Sequence, residues 1–270
     1  MTRRIAITLQ KGGVGKTSVA VNLAAALAAD QGLRTVLVDM DAQCNATTHM
    51  LGDDFQGPTL SSVLRGEVRL TDALVGCHHE NLQVLPGAPD LVAFERGTDD
   101  PRRARTILGV RDTLAAEMPA DVDVVIIDTP PGGGLWLQAA LAAADGFVIV
   151  AWPDGFSASG ILALLGTVDE VRQAFNPDLA LDGLVINHVR HTTGHRGYTQ
   201  VFEEIYGDVL LGEPLPMRSV IADARDAAMP VEFYERSYRT SSKAAPHFRV
   251  IAAQLVERTG LRAQPLKIAS

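Results

Sequence analysis

The sequence predicts an α/β fold, a doubly wound and mostly parallel sheet with helices on both faces. β-rich apolar runs of strand length alternate with alanine- and leucine-rich runs of helical spacing, a glycine-rich loop joins the first strand to the first helix, and carboxylates follow two later strands. The chain of 270 residues is long enough for one such domain. Because no repeat or low-complexity linker divides it, we expect a single domain over residues 1–270.

The first elements are a strand, a glycine-rich loop and a helix. Residues 3–9 (RRIAITL) form the apolar strand, and residues 16–29 (KTSVAVNLAAALAA) carry apolar side chains at helical spacing. The glycines of the intervening QKGGVGKTS let backbone N–H groups turn inward, and the helix N-terminus adds partial positive charge. The loop is therefore predicted to bind the phosphates of ATP through Gly12, Gly13, Val14, Gly15, Lys16, Thr17 and Ser18.

This loop carries two lysines where one phosphate chain needs only one. Lys16 is expected on the β- and γ-phosphates, and the Thr17 hydroxyl on Mg²⁺. The usual pattern G-x-x-x-x-G-K-[ST] has glycine where this chain has Gln10, and Lys11 opens the loop instead. A triphosphate carries about four negative charges, of which Mg²⁺ and Lys16 offset about three. A further cation is useful, and we expect Lys11, at the outer mouth of the loop, to point toward a neighbouring subunit.

Two later strands end in carboxylates. Residues 34–41 (RTVLVDMD) end in Asp39 and Asp41, which strand alternation places on one face at the carboxyl edge of the sheet, where open α/β folds bind ligands. Residues 122–131 (VDVVIIDTPP) contain a nearly continuous apolar run, typical of a buried parallel strand, followed by Asp128. A carboxylate there can hold Mg²⁺ through a water, and the proline- and glycine-rich loop beyond it is suited to respond to the γ-phosphate.

The rest of the chain continues the alternation. Further strands are predicted at 82–85, 146–151, 181–187 and 209–211, and further helices at 102–117, 157–174, 197–206 and 243–258. Cys44 and Cys77 supply neither a disulfide framework nor a C-x-x-C metal site. We recognise no signal peptide and no apolar run of membrane-spanning length, so a cytoplasmic protein is expected.

Charge bears on what the protein acts upon. The formal net charge of −8 argues against a chain that coats DNA with its whole surface, although a local basic patch would suffice. The C-terminal third contains many arginines interleaved with carboxylates. On charge alone, a solvated mixed-charge surface is the favoured interpretation.

The phosphate loop and the first carboxylate pair carry a resemblance to a known family. K-G-G-x-G-K-[ST] is the loop of the ParA/MinD group of deviant Walker A ATPases, and DMDAQCNAT resembles the group's DxDPQGNAT, with Ala42 replacing proline and Cys44 replacing glycine. Within the group, the chain resembles the ParA (Soj-like) chromosome and plasmid partition ATPases. The resemblance implies a P-loop NTPase fold and a Mg²⁺-dependent ATPase whose intrinsic turnover is slow.

Residue roles follow from this resemblance. Lys11 is expected to reach the partner's phosphates across an ATP-sandwich homodimer, Asp41 to orient the attacking water, and Asp39 to support the Mg²⁺ shell. The catalytic candidates are thus Lys11, Lys16 and Asp41, and the metal candidates are Thr17, Asp39 and Asp128. By the same resemblance, the adenine contacts are Asn187, Pro216 and Met217.

The resemblance also implies DNA segregation. Partition ATPases of this type bind DNA without sequence preference as ATP dimers, and a ParB-like centromere-binding protein stimulates the hydrolysis that resets them. The stretch LPMRSVIADARDAAMPVEFYERSYRTSSKA resembles the family segment that starts near IPRNVRLSEAP, with Val220 where arginine is common and Arg218 two residues earlier. We therefore expect a nucleoid-associated protein. We also expect no N-terminal helix-turn-helix, because the phosphate loop starts at Lys11. The candidate DNA contacts are Arg218, Arg225, Arg236 and Arg239.

Three alternatives stay open. A membrane-positioning ATPase like MinD would end in an amphipathic helix, whereas Gly260 and Pro265 interrupt the end of this chain, so no membrane partner is expected. A cargo-positioning ATPase that uses the nucleoid would have the same motifs as a true partition protein. A metabolic ligase of the dethiobiotin synthetase type shares the fold and the phosphate loop, but Lys11 is less expected there.

Overall fold

The structure is a computed structural model that describes residues 2–95, 100–190 and 192–263. The strands in these residues are β1 (Arg3–Thr8), β2 (Thr35–Asp39), β3 (Val75–Gly76), β4 (Leu82–Leu85), β5 (Val124–Asp128), β6 (Gly146–Ala151) and β7 (Ala180–Ile186). They form one sheet in the order β3-β4-β2-β5-β1-β6-β7. All neighbours pair in parallel except β3, which pairs antiparallel to β4. The parallel strands therefore end at one edge of the sheet.

The helices of the described residues connect these strands. They are α1 (Lys16–Ala29), α2 (Asn45–Leu51), α3 (Leu60–Leu64), α4 (Leu70–Ala73), α5 (Asp100–Ala116), α6 (Leu135–Ala143), α7 (Gly155–Ala174), α8 (Thr193–Tyr206), α9 (Ser219–Asp226), α10 (Val231–Tyr238) and α11 (Ala244–Thr259). Two 3₁₀ segments, Pro89–Glu95 and Gly207–Val209, complete the set.

Helices cover both faces of the sheet, which confirms the doubly wound class. On one face, α1 and α11 bury side chains such as Leu23 and Ile251 in a shared core cluster. On the other face, α5, α6 and α7 bury Ile107, Leu137 and Leu164 in a second cluster. All five residues of β5 are buried, because a central strand of such a sheet has a helix layer on either side.

Most predicted elements are confirmed, with one error and several omissions. The helix at 16–29 and the strands at 82–85 and 146–151 have the predicted bounds. The strand predicted at 209–211 is wrong, because Val209 is the last residue of the 3₁₀ segment and Leu210 makes only an isolated bridge to Leu184. The sequence interpretation missed α6, whose residues are nearly all buried and show no polar face. It also missed strand β3 and the short helices α2, α3, α4, α9 and α10.

The C-terminal helix ends at a glycine in the left-handed region. Gly260 has φ 67° and follows the last residue of α11. Pro265, which we used with Gly260 to judge the chain end, lies outside the described residues. Among the described helices, none has the combined length and apolar character that crossing a bilayer requires.

Candidate functional site

A cavity of about 390 Å³ opens at the carboxyl edge of the sheet, beside the start of α1. Its lining comes from the phosphate loop, the loop after β2 with α2, the loop after β5, the residue after Asn187, and α9. The lining residues are Gly12, Gly13, Gly15, Lys16, Thr17, Ser18, Asp41, Gln43, Asn45, His49, Thr129, Pro131, His188 and Arg225. The cavity thus brings together most of the predicted phosphate loop, Asp41 and one predicted DNA contact.

The backbone of the phosphate loop depends on glycine. Gly13 and Gly15 have φ of 77° and 87°, in the left-handed region that side chains disfavour. A Cβ on Gly15 would lie only 2.4 Å from Nδ2 of Asn187. The same Nδ2 donates a 2.8 Å hydrogen bond to the buried carbonyl of Val14. The loop is therefore held from behind by Asn187, and α1 begins directly after Gly15 with the bond from Val19 N–H to the Gly15 carbonyl.

Lys16 lies inside this loop as a buried cation. Its side chain is 6% exposed, and its Nζ donates a 2.9 Å hydrogen bond to the carbonyl of Lys11. Burial lowers the pKa of Lys16, while the negative charges of Asp128 and Asp41 oppose that change. A positive group partly stripped of water interacts strongly with an incoming anion, so Lys16 is suited to a phosphate contact.

Asp39 and Asp128 stand side by side on β2 and β5. They are register partners, and both are completely buried. Asp39 accepts hydrogen bonds from Thr47 N–H at 2.9 Å, Thr47 Oγ1 at 2.7 Å and Asp41 N–H at 3.0 Å. In contrast, neither carboxylate oxygen of Asp128 has a hydrogen-bond partner among the described residues. Asp39 therefore anchors α2 to the site, and Asp128 is left with unsatisfied acceptors.

The electrostatics of this pair favour a cation. Burial raises the pKa of Asp39 to about 6, against the hydrogen bonds that Thr47 donates. Burial raises the pKa of Asp128 well above its usual value, and the charge of Asp39 adds to the rise. The Thr17 hydroxyl and the Lys16 ammonium oppose this rise, although neither meets hydrogen-bond geometry with Asp128. A bound cation would offset the charge of both carboxylates and give the oxygens of Asp128 a partner, so the donor set fits Mg²⁺.

Asp41 is the carboxylate of this group that reaches the cavity. It is 8% exposed, and its Oδ1 accepts a 2.9 Å hydrogen bond from Gln43 N–H, which fixes its orientation. Cys44, in place of the family's glycine, adopts the left-handed conformation with φ 54°. Because a cysteine side chain disfavours this conformation, the replacement of glycine by Cys44 adds backbone strain, although the turn still forms. Burial and the charges of Asp39 and Asp41 raise the pKa of the Cys44 thiol to about 12, so the thiol stays protonated.

Lys11 is held by its own subunit in this chain. Its Nζ lies 2.7 and 2.9 Å from the two carboxylate oxygens of Asp154 and 3.3 Å from Oγ of Ser157. The same nitrogen makes cation–π contacts with the rings of Trp152 and Phe156, at 5.2 and 5.7 Å from their centroids. Lys11 does not line the cavity. Its contact across a dimer interface stays a prediction.

The three candidate adenine contacts lie close together beside the loop. Asn187 is 3% exposed, and its backbone N–H bonds the carbonyl of Ala151. The segment 215–217 runs alongside, with Leu215 N–H donating to Ile186 and Met217 N–H donating to Val189 at 3.2 Å. Asn187 Nδ2 uses one of its two N–H donors on the carbonyl of Val14, which leaves the second N–H and the amide oxygen for a base. The adenine role of Asn187, Pro216 and Met217 stays a prediction.

The four candidate DNA contacts belong to α9 and α10. Arg218 precedes α9, and its partly buried Nε has no hydrogen-bond partner among the described residues. Arg225 pairs with Asp226 at 2.9 Å and lines the nucleotide cavity. Arg236 pairs with the buried Glu232 at 2.5 Å, and Arg239 ends α10 with φ 52°. The structure therefore places Arg225 near the nucleotide side, which the sequence did not indicate.

The cavity also contains residues that the sequence interpretation missed. Gln43, Asn45 and Thr129 belong to the motifs DMDAQCNAT and IIDTPP, so their neighbours could have identified them. The Thr129 hydroxyl is committed to the carbonyl of Ile7 at 2.8 Å. His49 and His188 carry no such signal. The ring of His188 stacks on Trp152 at 5.1 Å between centroids.

Comparison with known sequences identifies relatives over most of the chain. A family model described as an AAA domain matches residues 2–181. The chain is 33% identical over 269 residues to chromosome partitioning protein ParA of Myxococcus xanthus, covering 95% of this chain and 88% of the relative. It is 32% identical over 265 residues to chromosome-partitioning ATPase Soj of Thermus thermophilus, covering 95% and 96%.

Solved structures share the fold, and some of them hold nucleotide. Cobyrinic acid a,c-diamide synthase from Mycobacterium smegmatis, bound to ADP or an ATP analogue with magnesium, has a TM-score of 0.76 and 29% identity, covering 98% of this chain and 100% of that one. MinD from Pyrococcus horikoshii, complexed with Mg-ADP, has a TM-score of 0.74 and 26% identity, covering 96% and 98%. With its partition relatives and phosphate-loop cavity, this chain belongs to the ParA/Soj family of chromosome partitioning proteins and has their P-loop NTPase fold.

Proposed function

We propose that this protein is a DNA-partition ATPase, which binds ATP with Mg²⁺, dimerises, and then binds DNA without sequence preference. The observation that carries the proposal is the cavity in which the phosphate loop and Asp41 face Arg225 of α9. One wall of that cavity recognises phosphate, and another belongs to an arginine-bearing segment. Nucleotide and DNA are thus expected to act on neighbouring parts of one surface.

The chemistry assigns a separate task to each group in the site. Lys16 and the loop N–H groups bind the phosphates, and Asp41, oriented by Gln43 N–H, positions the attacking water. Thr17, Asp39 and Asp128 would hold Mg²⁺, which when bound supplies positive charge at the β- and γ-phosphates. His49, His188 and Arg225 line the cavity, but none of them belongs to the phosphate loop or to the motifs DMDAQCNAT and IIDTPP. We therefore propose slow intrinsic hydrolysis, stimulated by a ParB-like centromere-binding partner.

The dimer links hydrolysis to DNA. In the proposed ATP-sandwich homodimer, Lys11 leaves Asp154 and reaches the phosphates held by the partner, which explains the second lysine of the loop. The arginines of α9 and α10 from both subunits then form the DNA-binding face on the nucleoid, and hydrolysis dissolves it. Four arginines from each subunit would give about eight phosphate contacts and a slope of log affinity against log salt of about −7.

A second candidate function has an observation in its favour. The similarity to a solved cobyrinic acid a,c-diamide synthase, at 29% identity over nearly the whole chain, is compatible with a metabolic ligase. MinD-like positioning on a membrane and nucleoid-based positioning of another cargo are the remaining alternatives. The ParA and Soj relatives at 33% and 32% identity favour partition.

Binding to a non-specific DNA duplex tests the proposal. The protein is titrated with no nucleotide, with ADP, and with a non-hydrolysable ATP analogue, at several salt concentrations. Salt-sensitive binding in the presence of the ATP analogue alone supports the proposal, and the variant Lys16→Ala is the matched control that should not respond to it. ATP binding without DNA binding in any state contradicts it, and adding anionic vesicles then separates a MinD-like protein from a ligase.

A further inference from the structure

The turn between α9 and α10 is held by two buried side chains from the nucleotide side of the molecule. Asn22 accepts a 2.7 Å hydrogen bond at Oδ1 from the N–H of Val231. His49 makes a 3.0 Å hydrogen bond through Nε2 with the carbonyl of Met229. These contacts join residues 209 and 180 positions apart in the chain. Both bonds thus fall within three residues of one turn.

Asn22 belongs to the helix that begins in the phosphate loop. It is 2% exposed and lies about one and two-thirds turns after Lys16 on α1. Its Nδ2 donates a 2.7 Å hydrogen bond to the carbonyl of Ser18, so both ends of the amide are committed. Any displacement at the start of α1 is therefore passed by a rigid amide to Val231.

His49 belongs to the helix that follows the Asp39–Asp41 loop. Its side chain is 1% exposed and lines the nucleotide cavity. A carbonyl can only accept, so Nε2 carries the proton and donates to Met229. The helix itself is anchored at the other end, where Asp39 accepts two hydrogen bonds from Thr47. A movement of the Asp41 loop would therefore be carried through α2 to Met229.

The turn between α9 and α10 is anchored separately on each side, so a displacement of either anchor can change its conformation. Pro230 lies between Met229 and Val231 and is the N-cap of α10, so Val231 is the first residue of α10, whereas Met229 lies in the turn after α9. Ala228 has φ 51°, a left-handed conformation that is strained for alanine. The α9 side carries Arg225, and the α10 side carries Arg236. Separate anchors on the two sides of one turn allow α9 and α10 to rotate against each other.

We propose that Asn22 and His49 are positioning residues that transmit the nucleotide state of the cavity to the arginines of α9 and α10. The inference rests on the proposed function, and it names the route by which that function is regulated. When a bound nucleotide shifts the Asp41 loop relative to the phosphate loop, α2 and α1 displace Met229 and Val231 by different amounts. The arginines of α9 and α10 then change their relative orientation, and the coupling reaches Arg236, which does not line the nucleotide cavity as Arg225 does.

Hydrogen–deuterium exchange on the unmodified protein, without DNA, is the first test. Adding a non-hydrolysable ATP analogue should change the exchange rate of amides in residues 224–233 at least threefold, with residues 102–116 of α5 as the internal reference. Unchanged exchange in 224–233 at saturating analogue overturns the proposal, whatever the variants do. If exchange changes but DNA is never bound, the proposed partition function fails while the coupling stands.

Variants then test the two side chains. The readout is the ratio of DNA dissociation constants with ADP and with the ATP analogue, both at saturating nucleotide. His49→Leu and Asn22→Leu should each reduce this ratio at least tenfold, whereas His49→Gln, which keeps an N–H donor, should restore most of it. His247→Leu is the matched control, because within the described part of the chain that ring bonds the carbonyl of Lys243, the N-cap of its own helix, and it should keep the wild-type ratio. A wild-type ratio in both leucine variants, or equal loss in the leucine and glutamine variants of His49, overturns the assignment.

Discussion

Replacing Asp154 with asparagine tests whether Lys11 must leave its own subunit before it can serve another. The two oxygens of Asp154 lie 2.9 and 2.7 Å from the lysine nitrogen. Asp154 is also the N-cap of α7, where its side chain accepts a 2.7 Å bond from Ser157 N–H. Asparagine caps a helix about as well as aspartate, so Asp154→Asn removes the charge and keeps the helix start.

The size of the effect follows from the exposure of the pair. Hydrogen bonds to charged groups contribute about 1.5–3 kcal/mol when buried, whereas exposed ion pairs contribute less than about 1 kcal/mol. The side chains of Lys11 and Asp154 are 20% and 27% exposed, which places the pair between these limits. We take about 1 kcal/mol for each subunit. A symmetric dimer releases two lysines, so Asp154→Asn should lower the dimer dissociation constant about 30-fold.

Sedimentation velocity over a range of protein concentrations, with a non-hydrolysable ATP analogue, measures this constant. Asp169→Asn is the control, because Asp169 also lies on α7 but forms a weak ion pair. Its side chain is 67% exposed, and its distance to Arg172 is as long as 3.8 Å. It should dimerise as the wild type does. An unchanged or weaker dimer in Asp154→Asn refutes the idea that the pair competes with dimerisation. A stable ATP dimer of Lys11→Ala refutes the use of Lys11 across the interface.

Three further predictions concern the loop, the water and a buried histidine. Gly15→Ala, with φ 87° and a Cβ 2.4 Å from Asn187, should weaken nucleotide binding more than about tenfold in calorimetric titration, and unchanged affinity contradicts our reading of the loop. Asp41→Ala should bind the ATP analogue but lose at least about 100-fold in single-turnover hydrolysis, and hydrolysis at the normal rate would remove Asp41 from catalysis. Burial lowers the pKa of His49 from 6.5 to about 4, so its neutral form stabilises the fold fully above pH 6.5 and less as pH falls toward 4. Between pH 7.5 and 5, urea unfolding should show the wild type losing about 2 kcal/mol more than His49→Gln, and parallel losses contradict the pKa shift.

The phosphate loop and its helix could be predicted because their signals are local. A β-rich run, three glycines and an alanine-rich helix fix the position of Lys16 within a few residues of sequence, and α1 has the predicted bounds. Asp39 and Asp128 are 89 residues apart, yet both follow strands of one parallel sheet. Parallel strands bring their carboxyl ends to one edge of the sheet, so fold class predicted that both carboxylates would lie at that edge, whereas the pairing of β2 with β5 is a finding of the structure.

Contacts set by tertiary packing could not be predicted in this way. The partner of Lys11, Asp154, lies 143 residues away at the start of a helix whose face the sequence does not specify. The entry of Arg225 into the nucleotide cavity and the bond from His49 to Met229 depend on how α9 packs against α2. The wrong strand at 209–211 has the same cause, because β-propensity there is weaker than the packing that bends the chain into a 3₁₀ turn.

The paired carboxylates of β2 and β5 affect the stability of the protein when no nucleotide or cation is bound. Two buried acids in register repel each other, and both oxygens of one of them lack hydrogen bonds among the described residues. A ligand that supplies positive charge removes this penalty only from the folded state, so loading the site must raise the free energy of unfolding. Proteases act on transiently unfolded chains, so we expect limited proteolysis to degrade the nucleotide-free form faster than the loaded form. On this expectation, the lifetime of the protein would depend on its nucleotide supply.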